Sequence, residues 1–192
     1  VGKIIAEAAT VHNAATWAIA NTEWDFTAVY YDAIDHFGHG FMRFHPPRRD
    51  HIPETLFNLF SEVAVAGYRY HDMLLGRLLR LVGPETTVIL LSDHGFHPDH
   101  LRPRGIPKEP AGPAIEHREL GIIVMAGPHI RQGERIYGTS LLDVAPTLLT
   151  LFGLPYGVDM DGLPLITAFD KPVQPDGVAS WEDVPGDSGR AA

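Results

Sequence analysis

The sequence predicts an α/β fold in which a mainly parallel sheet is flanked by helices, and three observations point there. Apolar, β-prone runs at residues 26–31, 86–91 and 120–125 alternate with segments of helical periodicity. The run at 86–91 is nearly all apolar, as in a strand covered on both faces. A polar cluster lies directly beside each run, and open α/β sheets carry their ligand sites at the carboxyl ends of strands.

Taken in order, residues 4–20 are rich in Ala and Ile and read as an amphipathic helix. Residues 26–31 (Phe26, Thr27, Ala28, Val29, Tyr30, Tyr31) read as a buried strand feeding a loop that carries Asp32 and Asp35. A loop with His45, Pro46 and Pro47 follows. Residues 54–82 place Leu56, Phe60, Val63, Tyr70, Leu74, Leu78 and Leu81 at helical spacing, with Gly83-Pro84 as the stop. After the strand at 86–91, residues 97–116 hold five prolines and two glycines with little periodicity, so they form a long loop. The strand at 120–125 ends at Ala126-Gly127-Pro128. Ser140 opens a last helix as N-cap, with Asp143 three residues on, and Gly153 closes it. From Asp170 onward Pro, Gly, Asp and Ser dominate, which reads as a flexible tail or linker over 170–192.

The 192 residues are 45% hydrophobic and 20% charged, enough for one domain with a real core. A net charge of -9 gives no bulk attraction for nucleic acid, and no partner of that kind is expected. Cysteine is absent, which excludes disulfides, thiolate zinc sites and iron–sulfur clusters, so any metal must use His, Asp, Glu or backbone oxygen. The 11 histidines are many for this length. No apolar run approaches the ~20 residues that span a bilayer. No signal peptide is visible, so a cytoplasmic location is the expectation, although a chain that starts at Val1 reads as a fragment.

The chemistry lies in three clusters. In Asp35-His36-Phe37-Gly38-His39 a carboxylate and an imidazole stand four residues apart, and one turn of helix or a compact loop brings both to one ion. The bland reading is an acidic loop with solvated histidines. In Ser92-Asp93-His94-Gly95 a carboxylate ends a buried strand, where desolvation is costly unless a cation compensates. The alternative is an Asp that caps the following turn. Glu116-His117-Arg118 carries little weight alone. Together, Asp35, His39 and His117 make a three-ligand oxygen and nitrogen set, and Asp93 with His94 makes part of a second. On the long loop, His97, His100, Arg102, Arg104 and Lys108 either line a phosphate-binding pocket or face solvent.

The order Asp-x-x-Gly-His, then Asp-His-Gly, then a His before a Gly-Ile-Ile-Val strand resembles the type I phosphodiesterase and nucleotide pyrophosphatase family of the alkaline phosphatase superfamily. The stretch from Ser140 to Leu149, then Gly153-Leu154-Pro155 and Asp159-Met160-Asp161-Gly162, is similar to the end of that superfamily's core. The likeness runs from Phe26 to Leu165. It implies an alkaline-phosphatase-like core, incomplete here, with residues 1–169 forming the C-terminal portion of the catalytic domain. It also implies two divalent ions, zinc above all and manganese as the alternative. Asp35, His39 and His117 would hold one, and Asp93 and His94 the other. The implied activity is hydrolysis of phosphodiester or pyrophosphate bonds in a phosphate-ester or nucleotide substrate, in two displacements through a covalent enzyme intermediate. The family's Thr or Ser nucleophile and a further Asp ligand belong to an N-terminal part expected upstream of Val1, so the chain alone is expected to be inactive. Rival readings are a relative of cofactor-independent phosphoglycerate mutase or of the sulfatases, and a non-catalytic α/β binding domain.

Overall fold

A computed structural model describes residues 1–106 and 112–186. The chain divides into two compact units, Val1–Thr86 with Leu91–Ile123, and Thr87–Leu90 with Val124–Ala192. The arrangement is α/β, with helices and small sheets.

In the first unit three helices pack on one another: α1 (Gly2–Asn21), α2 (Ala33–Phe41) and α4 (Val63–Val82). Small residues permit the close approach. Ala8, Ala33 and Ala64 are buried, and a Cβ added at Gly67 would sit 2.7 Å from the ring of Phe37. The periodic stretch at 54–82 is two helices, α3 (Glu54–Phe60) and α4, parted by a turn at Ser61-Glu62. Gly83 ends α4 with φ 74°, a left-handed conformation that glycine adopts without a steric penalty.

Residues 26–31 form no strand, contrary to the sequence expectation. A β-prone run becomes a strand only with a ladder partner, and none is described for this one. Tyr30 stays 80% exposed, while Tyr31 turns inward, its hydroxyl 2.8 Å from Nδ1 of buried His12. Asp35 therefore enters the site from a helix rather than from a loop after a strand.

The other two expected strands are present as β1 (Val88–Ser92) and β4 (Ile122–Ala126), which pair with each other. Short β2 (Gly95–Phe96) pairs antiparallel with β3 (His117–Arg118). Each sheet has two strands, so no extended, mainly parallel sheet is formed among the described residues. Apolar Leu90, Leu91, Ile122 and Val124 on β1 and β4 are exposed rather than covered.

Of the loop cations, Arg102 is buried at 4% exposure and donates to the carbonyls of Met42 (2.9 Å), Pro47 (3.0 Å) and His45. Arg49 in turn donates to the carbonyls of His100 (2.8 Å) and Arg102. Arg104 pairs with Asp50 at the surface. These guanidiniums tie the start of the proline-rich loop to the end of α2, which accounts for Arg102 structurally; Lys108 lies outside the described residues.

In the second unit α5 (Val144–Leu151) follows a short 3-10 turn, Leu141–Asp143, that Ser140 opens as its N-cap. The Asp143 carboxylate accepts N–H groups from Ser140 (2.7 Å) and Leu163 (2.8 Å), and these donors, Leu163 first, hold its pKa below the usual carboxylate range. Buried Thr147 accepts the N–H of Leu165 at 2.9 Å. Parallel β5 (Tyr156–Gly157) and β6 (Gly177–Val178), with Trp181 Nε1 donating to the Pro155 carbonyl at 2.9 Å, bring residues after Asp170 back onto this unit.

Removing the Arg102 guanidinium takes a donor from three carbonyls, of which that of Met42 keeps the His45 N–H at 3.0 Å. Arg102→Ala is expected to cost about 3 kcal/mol of stability, with no rescue by Arg102→Lys, whose compact ammonium lacks the planar fork that reaches these carbonyls from two nitrogens. Thermal unfolding followed by circular dichroism checks this; an unchanged midpoint would mean that the carbonyls find other donors.

Candidate metal centre

Asp35 and His39 lie one turn apart on α2, and the i, i+4 spacing brings Asp35 Oδ1 within 3.4 Å of His39 Nε2. Gly38 stands between them within the helix and allows a close approach. A Cβ there would collide with the ring of Phe96. Phe96 is buried, and its ring lies edge-on to three imidazoles, with centroids 5.0 Å from His39, 5.6 Å from His94 and 5.1 Å from His117.

The strand pairing supplies the rest. In the β2–β3 register Phe96 faces His117, which sets His117 beside His94 with rings stacked 3.6 Å apart. Gly121 permits this approach as well, since a Cβ there would strike the Ser92 carbonyl. His94 Nε2 comes to 3.6 Å and His117 Nε2 to 3.7 Å from Asp35 Oδ1, and His117 Nε2 to 3.0 Å from His39 Nε2.

Asp35, His94 and His117 each offer a ligand atom within 4.8 Å of one another. His94, grouped with Asp93 by sequence, thus lies against Asp35 as well. Asp93 is more peripheral: its side chain is 70% exposed, Oδ1 accepts the His94 N–H at 3.0 Å, and it stands 3.8 Å from His94 Nε2. His36 turns away toward Glu7, at 3.8 Å. Sequence reasoning gave no role to Glu116, which is buried with Oε2 2.8 Å from His39 Nδ1. Its only sequence signal is adjacency to His117.

Two features bear on whether a cation fits. Asp35 Oδ1 is buried and accepts no hydrogen bond among the described residues, a costly state for a carboxylate oxygen without a cation. Burial, and the neighbouring His94 and His39, lower the pKa of His117 against the opposing pull of Asp35 and Asp93, which favours the neutral imidazole that metals require. Bonds of 2.0–2.1 Å in a tetrahedral zinc site imply ligand–ligand separations of roughly 3.3 Å, and the separations around Asp35 Oδ1 lie near that value. The residues fit a divalent ion bound by oxygen and nitrogen.

Gly38→Ala forces Phe96 off the helix and disturbs all three imidazoles at once. It is expected to lower stability by about 1–3 kcal/mol, despite alanine's higher helix propensity, and to weaken zinc binding. Calorimetric unfolding with and without zinc measures both effects; a stabilised variant would refute the packing argument.

A profile of the family described as type I phosphodiesterase / nucleotide pyrophosphatase matches residues 3–107, more than half of the chain. The match begins in α1, upstream of the Phe26 at which the visible likeness starts. It takes in Asp35, His39, Asp93 and His94, and ends before Glu116 and His117. No curated protein and no solved structure matches the chain. On the strength of the profile match, the chain belongs to the type I phosphodiesterase / nucleotide pyrophosphatase family of the alkaline phosphatase superfamily.

Proposed function

We propose that this chain supplies most of the metal ligands, but not the nucleophile, of a metal-dependent hydrolase of phosphodiester or pyrophosphate bonds. The family acts on nucleotide or phosphodiester substrates, and the observation that carries the reading is the buried Asp35 Oδ1, without a hydrogen bond among the described residues and ringed by three imidazoles. Two ions are proposed, zinc by preference for this donor set, with manganese as the alternative. Asp35, His39 and His117 hold one. Asp93 and His94 hold part of the second, and the 3.6 Å between His94 and Asp35 agrees with sites that lie side by side.

Bound there, the ions would neutralise charge developing on the phosphoryl oxygens. The chain's own residues do the rest of what can be assigned. Asp35 supplies the negative charge at the centre. His39, His94 and His117 present imidazole nitrogen, and Phe96 packs edge-on against all three rings. Residues 1–169 are proposed as the C-terminal portion of the catalytic domain, with 170–192 as the tail or linker that follows. An upstream part would bring the nucleophilic hydroxyl and a further Asp, and would extend the sheet toward the mainly parallel form. The exposed apolar side chains of β1 and β4 support this, since a sheet of the complete domain would cover them.

The test uses an aryl phosphodiester such as bis-p-nitrophenyl phosphate. The chain with zinc is expected to give no more than a slow, chelator-sensitive background, while a longer chain that includes the upstream part is expected to turn over and to lose that activity in His39→Ala. Robust turnover by the present chain, abolished by His39→Ala, would place the nucleophile within it and overturn the division of labour. A longer chain whose activity survives both chelation and His39→Ala would overturn the metal assignment.

A further inference from the structure

We propose that Glu116 is a positioning residue that fixes His39 as its Nδ1–H tautomer and so aims an unprotonated Nε2 into the centre. The inference rests on the reading of Asp35, His39 and His117 as a metal site, and adds a residue to it. Glu116 is 7% exposed, and its Oε2 lies 2.8 Å from His39 Nδ1, across 77 positions of sequence. An ionised carboxylate only accepts, so the hydrogen on this contact must come from Nδ1. A neutral imidazole with its hydrogen on Nδ1 has a lone pair on Nε2, and Nε2 is the atom 3.4 Å from Asp35 Oδ1 and 3.0 Å from His117 Nε2.

The backbone holds Glu116 in place independently of its side chain. It ends the 3-10 turn Gly112–Glu116, its carbonyl accepts the His97 N–H at 3.1 Å, and the next residue, His117, opens β3. One short segment therefore delivers a metal-ligating imidazole and, one residue earlier, the carboxylate that orients another such imidazole on α2. Glu116 meets Nδ1 of His39 while His117 meets its Nε2. A carboxylate behind an imidazole also raises its basicity toward a metal. With Gln the contact can form with either tautomer, because an amide offers both a donor and an acceptor. Glutamate permits one.

The experiment uses the full chain, chelator-treated, with 15N-labelled histidine at mildly alkaline pH. Long-range nitrogen–proton correlation spectra read the tautomer of His39, assigned by the loss of its signals in His39→Ala, and a competition titration reads the zinc affinity. The wild type is expected in the Nδ1–H form. Glu116→Ala is expected to shift His39 to the Nε2–H form or a mixture and to weaken zinc binding about 10–100-fold. Glu116→Gln, of nearly the same shape, is expected to give a mixture and a smaller loss, and it replaces the alanine variant if that one does not fold. A wild-type His39 in the Nε2–H form, or unchanged tautomer and affinity in a folded variant, overturns the proposal. If the wild type binds no zinc, the metal reading fails and the tautomer spectra alone decide the role of Glu116.

Discussion

Asp35 Oδ1 is taken out of water by the packing around α2 and accepts no hydrogen bond among the described residues. A carboxylate in that state is costly unless a cation approaches it, and three imidazole nitrogens stand around it at 3.4–3.7 Å, the donors that a metal ion there would need. Much of the first unit serves this meeting. The small residues Ala8, Ala33 and Ala64 let α1, α2 and α4 close together. Gly38 admits Phe96 to the same face of α2 that carries Asp35 and His39. The β2–β3 register then sets His117 opposite Phe96 and beside His94.

The electrostatics follow from the same crowding. Burial disfavours the charged form of His117, and the neighbouring His94 and His39 add to the effect, so His117 is held toward its neutral form. A neutral imidazole has a lone pair to give, and a cysteine-free chain has no thiolate to offer in its place. The arrangement suits a hard or borderline divalent ion far better than it suits proton transfer by an isolated histidine. Arg102, which by charge alone suits a phosphate, is instead enclosed by backbone carbonyls and keeps the proline-rich loop in position.

The helices are legible in the sequence because their signals are local. The spacing of apolar residues finds α1 and α4, Gly83 marks the end of α4, and Asp35 with His39 reads as one helical turn. The turn at Ser61-Glu62 escapes notice because the apolar rhythm continues through it. The run at 26–31 misleads because β propensity describes a residue's fit to a sheet and says nothing of whether a neighbouring strand exists. At the site, the approach of His94 to Asp35 and of Glu116 to His39 are products of tertiary packing between segments 59 and 77 positions apart, and no local pattern carries them. Conversely, the Ser140–Asp143 cap is legible to the residue, since both partners lie within a single turn.

The claim that Asp35 anchors a metal centre is tested most directly by crystals of the chain grown with zinc and measured at the zinc absorption edge. The account predicts an anomalous peak about 2.0–2.2 Å from Asp35 Oδ1, with His39 and His117 nitrogen completing its coordination. A well-ordered site with no anomalous density beside Asp35, or a zinc ion bound elsewhere on the chain in its place, would contradict it.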